Sequence, residues 1–220
     1  KLHGEIRPRS PRYAELTRPR PIDAMAVRER LLDAETLLLE YALGAERSVV
    51  WAISRAAMTA HVLPARADVE RAARTYYELL TARNTEVPGE TAAARQRRVA
   101  AADGSLGAAA RALSAMLLGP VASELGDRRL LIVADGALQY VPFAALPDPM
   151  QATPAGDDPL IVRHEVVLAP SASAVAVLRE ERAGVRPVRT VAIIPDPVFS
   201  GDDPRVVRQG AVPSAAGARA

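Results

Sequence analysis

The chain has 220 residues, of which 49% are hydrophobic and only 4% are aromatic. This balance excludes an intrinsically disordered chain, and the length allows one large domain or two small ones with an aliphatic core. No apolar run reaches the roughly 18 residues of a membrane span. The chain has no cysteine, which excludes disulfides, thiolate metal sites and a thiol nucleophile among its own residues.

The formal charge of +2 is unevenly distributed along the sequence. The first 30 residues carry eight basic and four acidic side chains, and the rest of the chain is slightly acidic. No basic stripe follows this segment, and the aromatic residues form no repeated stacking platform. We therefore predict neither a nucleic-acid partner nor a membrane partner.

The amino-terminal elements begin with an arm or linker over residues 1–30. Its prolines at positions 8, 11, 19 and 21 forbid a continuous helix until after Pro21, and a short helix is predicted at Ile22–Leu32. The segment shows no charged n-region followed by an apolar h-region, as a secretory leader would. We expect a cytoplasmic protein.

Residues 31–92 are predicted to form a β-meander followed by a helix. Three β-rich runs, at Thr36–Tyr41, Ser48–Ser54 and Met58–Leu63, are separated by short turn segments, which is typical of an antiparallel meander. After Pro64, apolar residues recur at helical spacing from Val69 to Leu80. The polar, arginine-rich stretch over residues 84–103 is compatible with either a loop or a helical extension.

Strands and helices alternate in the second half of the chain. A helix with apolar residues from Leu106 to Leu117 ends at Gly119-Pro120. The strand Leu130–Ala134 is apolar on both faces, as in a covered parallel sheet, and Asp135-Gly136 ends it with a turn. Further elements follow: a strand at His164–Leu168, a helix at Ala174–Glu181 and a strand at Arg189–Ile194. This order predicts an α/β fold with a parallel sheet, whose sites lie at the carboxyl ends of its strands.

These segments together resemble a known family. "LLIVADGALQYVPFAALPD", then "PLIVRHEVVLAPSASAVAVLRE" and "PDPVFSGDDPR" resemble the first half of the CHAT domain, a caspase-like module found with tetratricopeptide repeats. The upstream segments "SPRYAELTRPRP", "LLDAETLLLEYALGAERSVVWAISR" and "HVLPARADVERAARTYYELL" are similar to the region that precedes this half. The resemblance extends to about Arg205. It divides the chain into an arm (1–30), a preceding region (31–92) and the amino-terminal part of the domain (93–220).

The resemblance implies a caspase/separase-like partial parallel sheet flanked by helices and preceded by the small meander with its helix. It also implies a cysteine peptidase clan whose base is a histidine in a His-Gly motif and whose nucleophile is a cysteine in an Ala-Cys motif. Both motifs lie downstream of the matched region in the family. His3-Gly4 precedes every predicted strand, and the tail after Arg205 shows no periodicity. We therefore expect no catalytic activity from this chain alone.

Other polar residues are interpreted as structural. His164 is expected to be a partly buried histidine with a polar neighbour, and His61 to lie on the hairpin. Ser171 and Ser173 are expected to cap a helix rather than act as nucleophiles. An acidic cluster does not have the spacing of a calcium loop and is read as a solvated loop; it consists of Asp196, Asp202 and Asp203. We assign no catalytic, cofactor-binding or metal-binding residue and expect no cofactor.

Three functions remain open from the sequence. The first is the non-catalytic amino-terminal portion of a CHAT-type protein, linked to upstream tetratricopeptide repeats and meeting protein partners or peptide substrates through the full-length protein. The second is a pseudo-peptidase module that binds a protein partner. The third is a small enzyme that uses His164 with an acidic residue, which the missing motifs disfavour.

Overall fold

A computed structural model of the chain describes residues 21–153 and 156–182, which belong to one compact unit. The predicted strand Arg189–Ile194 and the first 20 residues lie outside the described residues. The strands are β1 (Thr36–Ala42), β2 (Ser48–Ile53), β3 (Met58–Leu63), β4 (Arg129–Val133), β5 (Pro147–Thr153), β6 (Gly156–Pro159) and β7 (Val166–Ala169). The helices are α1 (Ala24–Ala26, continued by a π-helical turn at Val27–Leu31), α2 (Arg66–Thr81), α3 (Ala92–Leu117), α4 (Ala122–Leu125) and α5 (Ala172–Arg182).

Five of the strands form one mixed sheet in the order β3-β2-β1-β4-β7. The meander β1–β2–β3 is antiparallel, and β1 pairs in parallel with β4, from Thr36 opposite Arg129 to Glu40 opposite Val133. On its other side β4 pairs in parallel with β7. The predicted α/β class with a partial parallel sheet, flanked by helices and preceded by a meander, is confirmed. The division at residues 30 and 92 stays a prediction.

Helices and turns cover both faces of this sheet. On the first face, Leu39, Tyr41 and Ile132 pack with α2, α3 and the 3₁₀ turns that follow β4. On the second face, Leu38 and Leu131 pack with the π-helical turn and α5. Because β4 is buried on both sides, it carries the continuous apolar run expected of a central parallel strand.

The strand predicted at His164–Leu168 begins later in the structure, at Val166. The Arg163 amide closes the 3₁₀ turn Leu160–Val162 by donating to the Leu160 carbonyl at 3.1 Å, and the His164 amide donates to the same carbonyl at 2.8 Å. A backbone amide used in a turn cannot also serve a strand ladder. His164 therefore lies just before β7 and not within it.

The arginine-rich stretch that allowed two interpretations is part loop and part helix. Helix α3 begins at Ala92, where the Thr91 hydroxyl accepts a hydrogen bond from the Ala94 amide. In the loop before it, both carboxylate oxygens of Glu90 accept hydrogen bonds from Arg98, each at 2.8 Å. The Arg98 hydrogen bond lowers the pKa of the Glu90 carboxyl. Arg98 also donates to the Ala82 carbonyl at 2.7 Å and therefore fastens the loop to α3.

No single helix among the described residues combines the length and the hydropathy needed to cross a bilayer. Helix α3 and the segment Gly119–Leu125 meet both criteria only as a pair bent by 50°.

Tyr41 provides a test of the packing between the sheet and α3. Its hydroxyl donates to the carbonyl of Leu117, the last residue of α3, at 3.2 Å, and its ring packs against Phe143. A Tyr41→Phe variant keeps the ring and leaves a buried carbonyl without its donor. We expect a loss of about 1 to 3 kcal/mol in unfolding free energy, measured by urea denaturation. Tyr140→Phe, at an exposed tyrosine, is the control and should change nothing.

Tyr41→Phe should also change how the unfolding free energy depends on pH in the alkaline range. Burial raises the pKa of the Tyr41 hydroxyl, so above about pH 10 it ionises in the unfolded chain before it does so in the folded one. Stability should therefore fall as the pH rises through this range. The fall should be shallower in Tyr41→Phe, although burial also raises the pKa of Tyr76 and leaves part of it in place. Parallel curves for the two proteins would contradict the assignment.

Candidate functional site

The carboxyl ends of β1, β4 and β7 meet at one edge of the sheet because these three strands are parallel. Open α/β sheets place their ligands and catalytic groups at this carboxyl edge. The residues that follow β1 and β4 there are the loop from Leu43 to Arg47 and the turn at Asp135-Gly136. They form the candidate site.

Asp135 joins the end of β4 to the loop that follows β1. Its Oδ2 accepts a hydrogen bond from the Leu43 amide at 2.8 Å and lies 3.4 Å from the Arg66 guanidinium. The same guanidinium donates to the Leu43 carbonyl at 2.5 Å. The carboxylate thus supplies an acceptor to an amide that follows the last residue of β1. This contact explains why a buried strand ends at an Asp-Gly turn.

Arg66 fixes the start of α2 at the same edge. Its amide donates to the Gly44 carbonyl at 2.8 Å, and its side chain contacts Glu70, one turn further along the helix, at 3.3 Å. The side chains of Arg66 and Asp135 are 42% and 41% exposed, so solvent screens their charges and the ion pair contributes little energy. Its importance lies in positioning β1, β4 and α2.

Gly136 is required by both its backbone and its surroundings. Its φ of +55° lies in the left-handed region, where a side chain is strained. A Cβ at this position would also lie 3.2 Å from both the Arg66 guanidinium and the Glu70 carboxylate. The turn therefore brings the chain against the ion pairs as closely as a glycine allows.

The described histidines lie away from this edge. His164 precedes β7 and so lies at the amino edge, where its side chain is buried, its Nδ1 donates to the Arg128 carbonyl at 2.8 Å and its Nε2 lies 3.9 Å from Asp148 Oδ2. His61 lies on the edge strand β3, with Nε2 2.7 Å from Glu124. The structure thus gives each histidine a carboxylate neighbour that no sequence motif indicated. His3 lies outside the described residues.

The two candidate capping serines have different roles. The Ser171 hydroxyl accepts a hydrogen bond from the Ala174 amide at 3.0 Å, as a helix cap does. The prediction for Ser173 is wrong, because α5 begins at Ala172, before the predicted start at Ala174, and places Ser173 inside the helix. Its hydroxyl accepts a hydrogen bond from the Ile22 amide at 3.3 Å. Neither serine contacts a histidine that could act as a base in the part of the chain that the structure describes.

Metal ligands do not cluster among residues 21–153 and 156–182. No group of three or more His, Asp or Glu side chains there could hold a metal ion. The acidic cluster Asp196, Asp202 and Asp203 lies outside these ranges. At the carboxyl edge, the Asp135 carboxylate and the Arg66 guanidinium both bind backbone groups of Leu43. This edge therefore positions the strands and α2.

A pair of glycine variants tests the role of the Asp-Gly turn. Gly136→Ala should lower the unfolding free energy by about 1 to 2 kcal/mol, because it adds a left-handed strain and displaces the Arg66 and Glu70 side chains. Gly104→Ala, in the middle of α3 with open space around the new methyl group, should raise it by about 0.5 to 1 kcal/mol. Urea denaturation of both measures the contrast, and a neutral Gly136→Ala would contradict this account of the turn.

A comparison with known protein families identifies the part of the chain that contains β4, β7 and the turn between them. The family model of the CHAT domain matches residues 107–219, slightly more than half of the chain. None of the curated proteins matches the chain. The match begins within α3 and includes the parallel strands β4 and β7 with the Asp135-Gly136 turn between them. The chain therefore belongs to the CHAT domain family, a caspase-like peptidase family.

Proposed function

We propose that this chain is the amino-terminal, scaffolding portion of a CHAT-domain protein and is not a peptidase by itself. The observation that carries the proposal is the set of hydrogen bonds at the carboxyl edge of the sheet. There the side chains of Asp135, which follows β4, and of Arg66, the first residue of α2, are bound to backbone groups of Leu43. Both side chains therefore serve to hold β1, β4 and α2 in position.

The chemistry of this peptidase clan supports the proposal. A thiol peptidase needs a sulfur nucleophile with a base beside it, and this chain has no cysteine. His164 is buried at the amino edge, and His61 lies on β3, which β2 and β1 separate from β4. The His-Gly and Ala-Cys motifs that the family uses would have to come from outside this chain.

A peptide-library assay tests the absence of activity. The purified chain should cleave a degenerate fluorogenic peptide library no faster than buffer does, because loss of a nucleophile removes nearly all of the acceleration that such a unit provides. His164→Ala and His61→Ala serve as matched controls, with circular dichroism to verify that each is folded. Turnover that a folded His164→Ala variant loses would contradict the scaffold role and support a histidine-dependent enzyme.

The scaffold role also predicts where the rest of the domain contacts this chain. Strand β7 is the last strand of the sheet within the described residues, and its Val167 and Leu168 side chains are 38% and 47% exposed. The neighbouring β4 is buried on both faces. An exposed apolar edge is suited to receive further protein.

A hydrophobic dye measures this exposed edge. The isolated chain should bind the dye, and Leu168→Lys should reduce the fluorescence while the melting temperature is kept. Ile161→Lys, at an exposed side chain outside the sheet, is the control. If the two substitutions lower the fluorescence equally, or if the chain is a dye-silent monomer, the β7 edge is not a docking edge.

A second candidate function is a pseudo-peptidase module that binds a protein partner next to tetratricopeptide repeats. The second face of β2 and β3 favours it, because Met58 and Val62 are exposed there beside the half-buried Trp51. Burial raises the pKa of the Glu40 carboxyl on the same face. The DNA on both sides of the open reading frame separates the two candidates. Downstream His-Gly and Ala-Cys strands would favour the scaffold, and their absence would favour the interaction module.

A further inference from the structure

A cavity of about 300 Å³ lies at the amino edge of the sheet, opposite the candidate site. Its polar wall is formed by His164 and Asp148, whose side chains are only 1% and 4% exposed. Ala122, Leu125 and Met150 supply apolar surface. Arg163 and Asp127 form an ion pair at its more exposed rim. A buried carboxylate and a buried imidazole thus share one cavity wall.

The hydrogen bonds of His164 and Asp148 show which of their polar atoms are donors and which are acceptors. The Arg128 carbonyl can only accept, so the Nδ1 of His164 carries the proton of their 2.8 Å hydrogen bond. In a neutral imidazole the opposite nitrogen, Nε2, is then an acceptor. Asp148 accepts a hydrogen bond from the Met150 amide through Oδ1 and turns Oδ2 toward His164. Two acceptors therefore face each other.

The distance between these acceptors points to a bridging donor. Nε2 and Oδ2 are 3.9 Å apart, whereas a direct hydrogen bond spans about 2.7 to 3.2 Å. One nitrogen placed about 2.9 Å from both atoms would see them at an angle of roughly 85°, which two N–H bonds of a tetrahedral centre can serve with modest bending. The bridging group must donate at least two hydrogen bonds.

Charge and volume select among the groups that could bridge. Asp148 disfavours an anion, and no third metal ligand joins His164 and Asp148 among the described residues. With Asp127 paired to Arg163, the carboxylate of Asp148 leaves the wall with one net negative charge. A single water occupies only about 30 Å³, so the cavity has room for an attached aliphatic stem beside Ala122 and Leu125.

We propose that this cavity binds a primary alkylammonium group, whose N–H bonds donate to Asp148 Oδ2 and His164 Nε2. The apolar wall takes the methylene groups of the ligand. A free small amine and the side chain of a lysine from another molecule offer the same chemistry. The site is independent of the thiol chemistry of the family, because it lies at the opposite edge of the sheet.

An NMR titration of the unmodified chain tests the proposal. Resonances of Asp148, Met150 and His164 should shift in a saturable way with n-butylammonium, with a Kd in roughly the millimolar range expected of so small a ligand. At equal ionic strength, n-butanol should bind at least tenfold more weakly and butyrate should not bind. Equal binding of butanol and butylammonium, or no saturable shift, would overturn the proposal.

A lysine arm of the same titration distinguishes the two sources of the ligand. If Nα-acetyl-lysine amide shifts the same resonances as strongly as butylammonium, the cavity admits a side chain from a peptide. If only the free amine does so, its ligand is a small molecule. Either result supports alkylammonium binding.

Two variants locate the binding group. Asp148→Asn should weaken butylammonium binding at least tenfold, and Asp158→Asn, at an exposed aspartate of the same hairpin, should leave it unchanged. If Asp148→Asn does not fold, the ligand series on the unmodified chain still decides. The ¹⁵N shifts of His164 should show a neutral ring with the proton on Nδ1, and an imidazolium ring in the complex would refute the bridging geometry.

Discussion

The parallel pairing of β1 with β4 is the contact on which the rest of the structure depends. It joins residues that are about 90 positions apart and places β1 in the middle of the sheet, with β2 on one side and β4 on the other. Each residue of β1 from Thr36 to Leu39 is buried. Without this contact, the meander would be an isolated three-stranded ribbon and β4 would lose a neighbour along its whole length.

The pairing also determines which end of the sheet can carry chemistry. Because β1 and β4 run in the same direction, Leu43 and Asp135 meet at one edge, and the aspartate is used to satisfy an amide there. The buried His164 and Asp148 meet at the other edge. A site with solvent access and a site with a buried polar pair thus lie at opposite ends of the same parallel strands.

Local patterns predicted the elements of this fold well and their contacts poorly. The run Met58–Leu63 is a strand with the predicted bounds, and the apolar spacing after Pro64 corresponds to α2. Such patterns reflect the period of one element against a flat core. The order of strands and helices predicted the parallel α/β sheet, and the family resemblance added that this sheet is of the caspase/separase-like type.

The pairs that define the polar sites could not be found in the same way. His164 with Asp148 and His61 with Glu124 join residues on different elements, 16 and 63 positions apart, and neither has a motif spacing. The start of α5 was misplaced because Ser171 and Ser173 are equivalent as caps in the sequence. In the structure the Ser171 hydroxyl accepts a hydrogen bond from the Ala174 amide, whereas the Ser173 hydroxyl accepts one from the Ile22 amide, where the segment before β1 docks on α5.

That docking has a consequence for the limits of the domain. The segment before β1 holds α5 at both ends, through the hydrogen bond from Ile22 to Ser173 and through one from Arg179 to the Leu31 carbonyl at 2.6 Å. The span that defines family membership starts only at residue 107. A gene fragment cut there would encode β4 without β1 and α5 without its support. Recombination that separates the two parts would therefore break the core that they share.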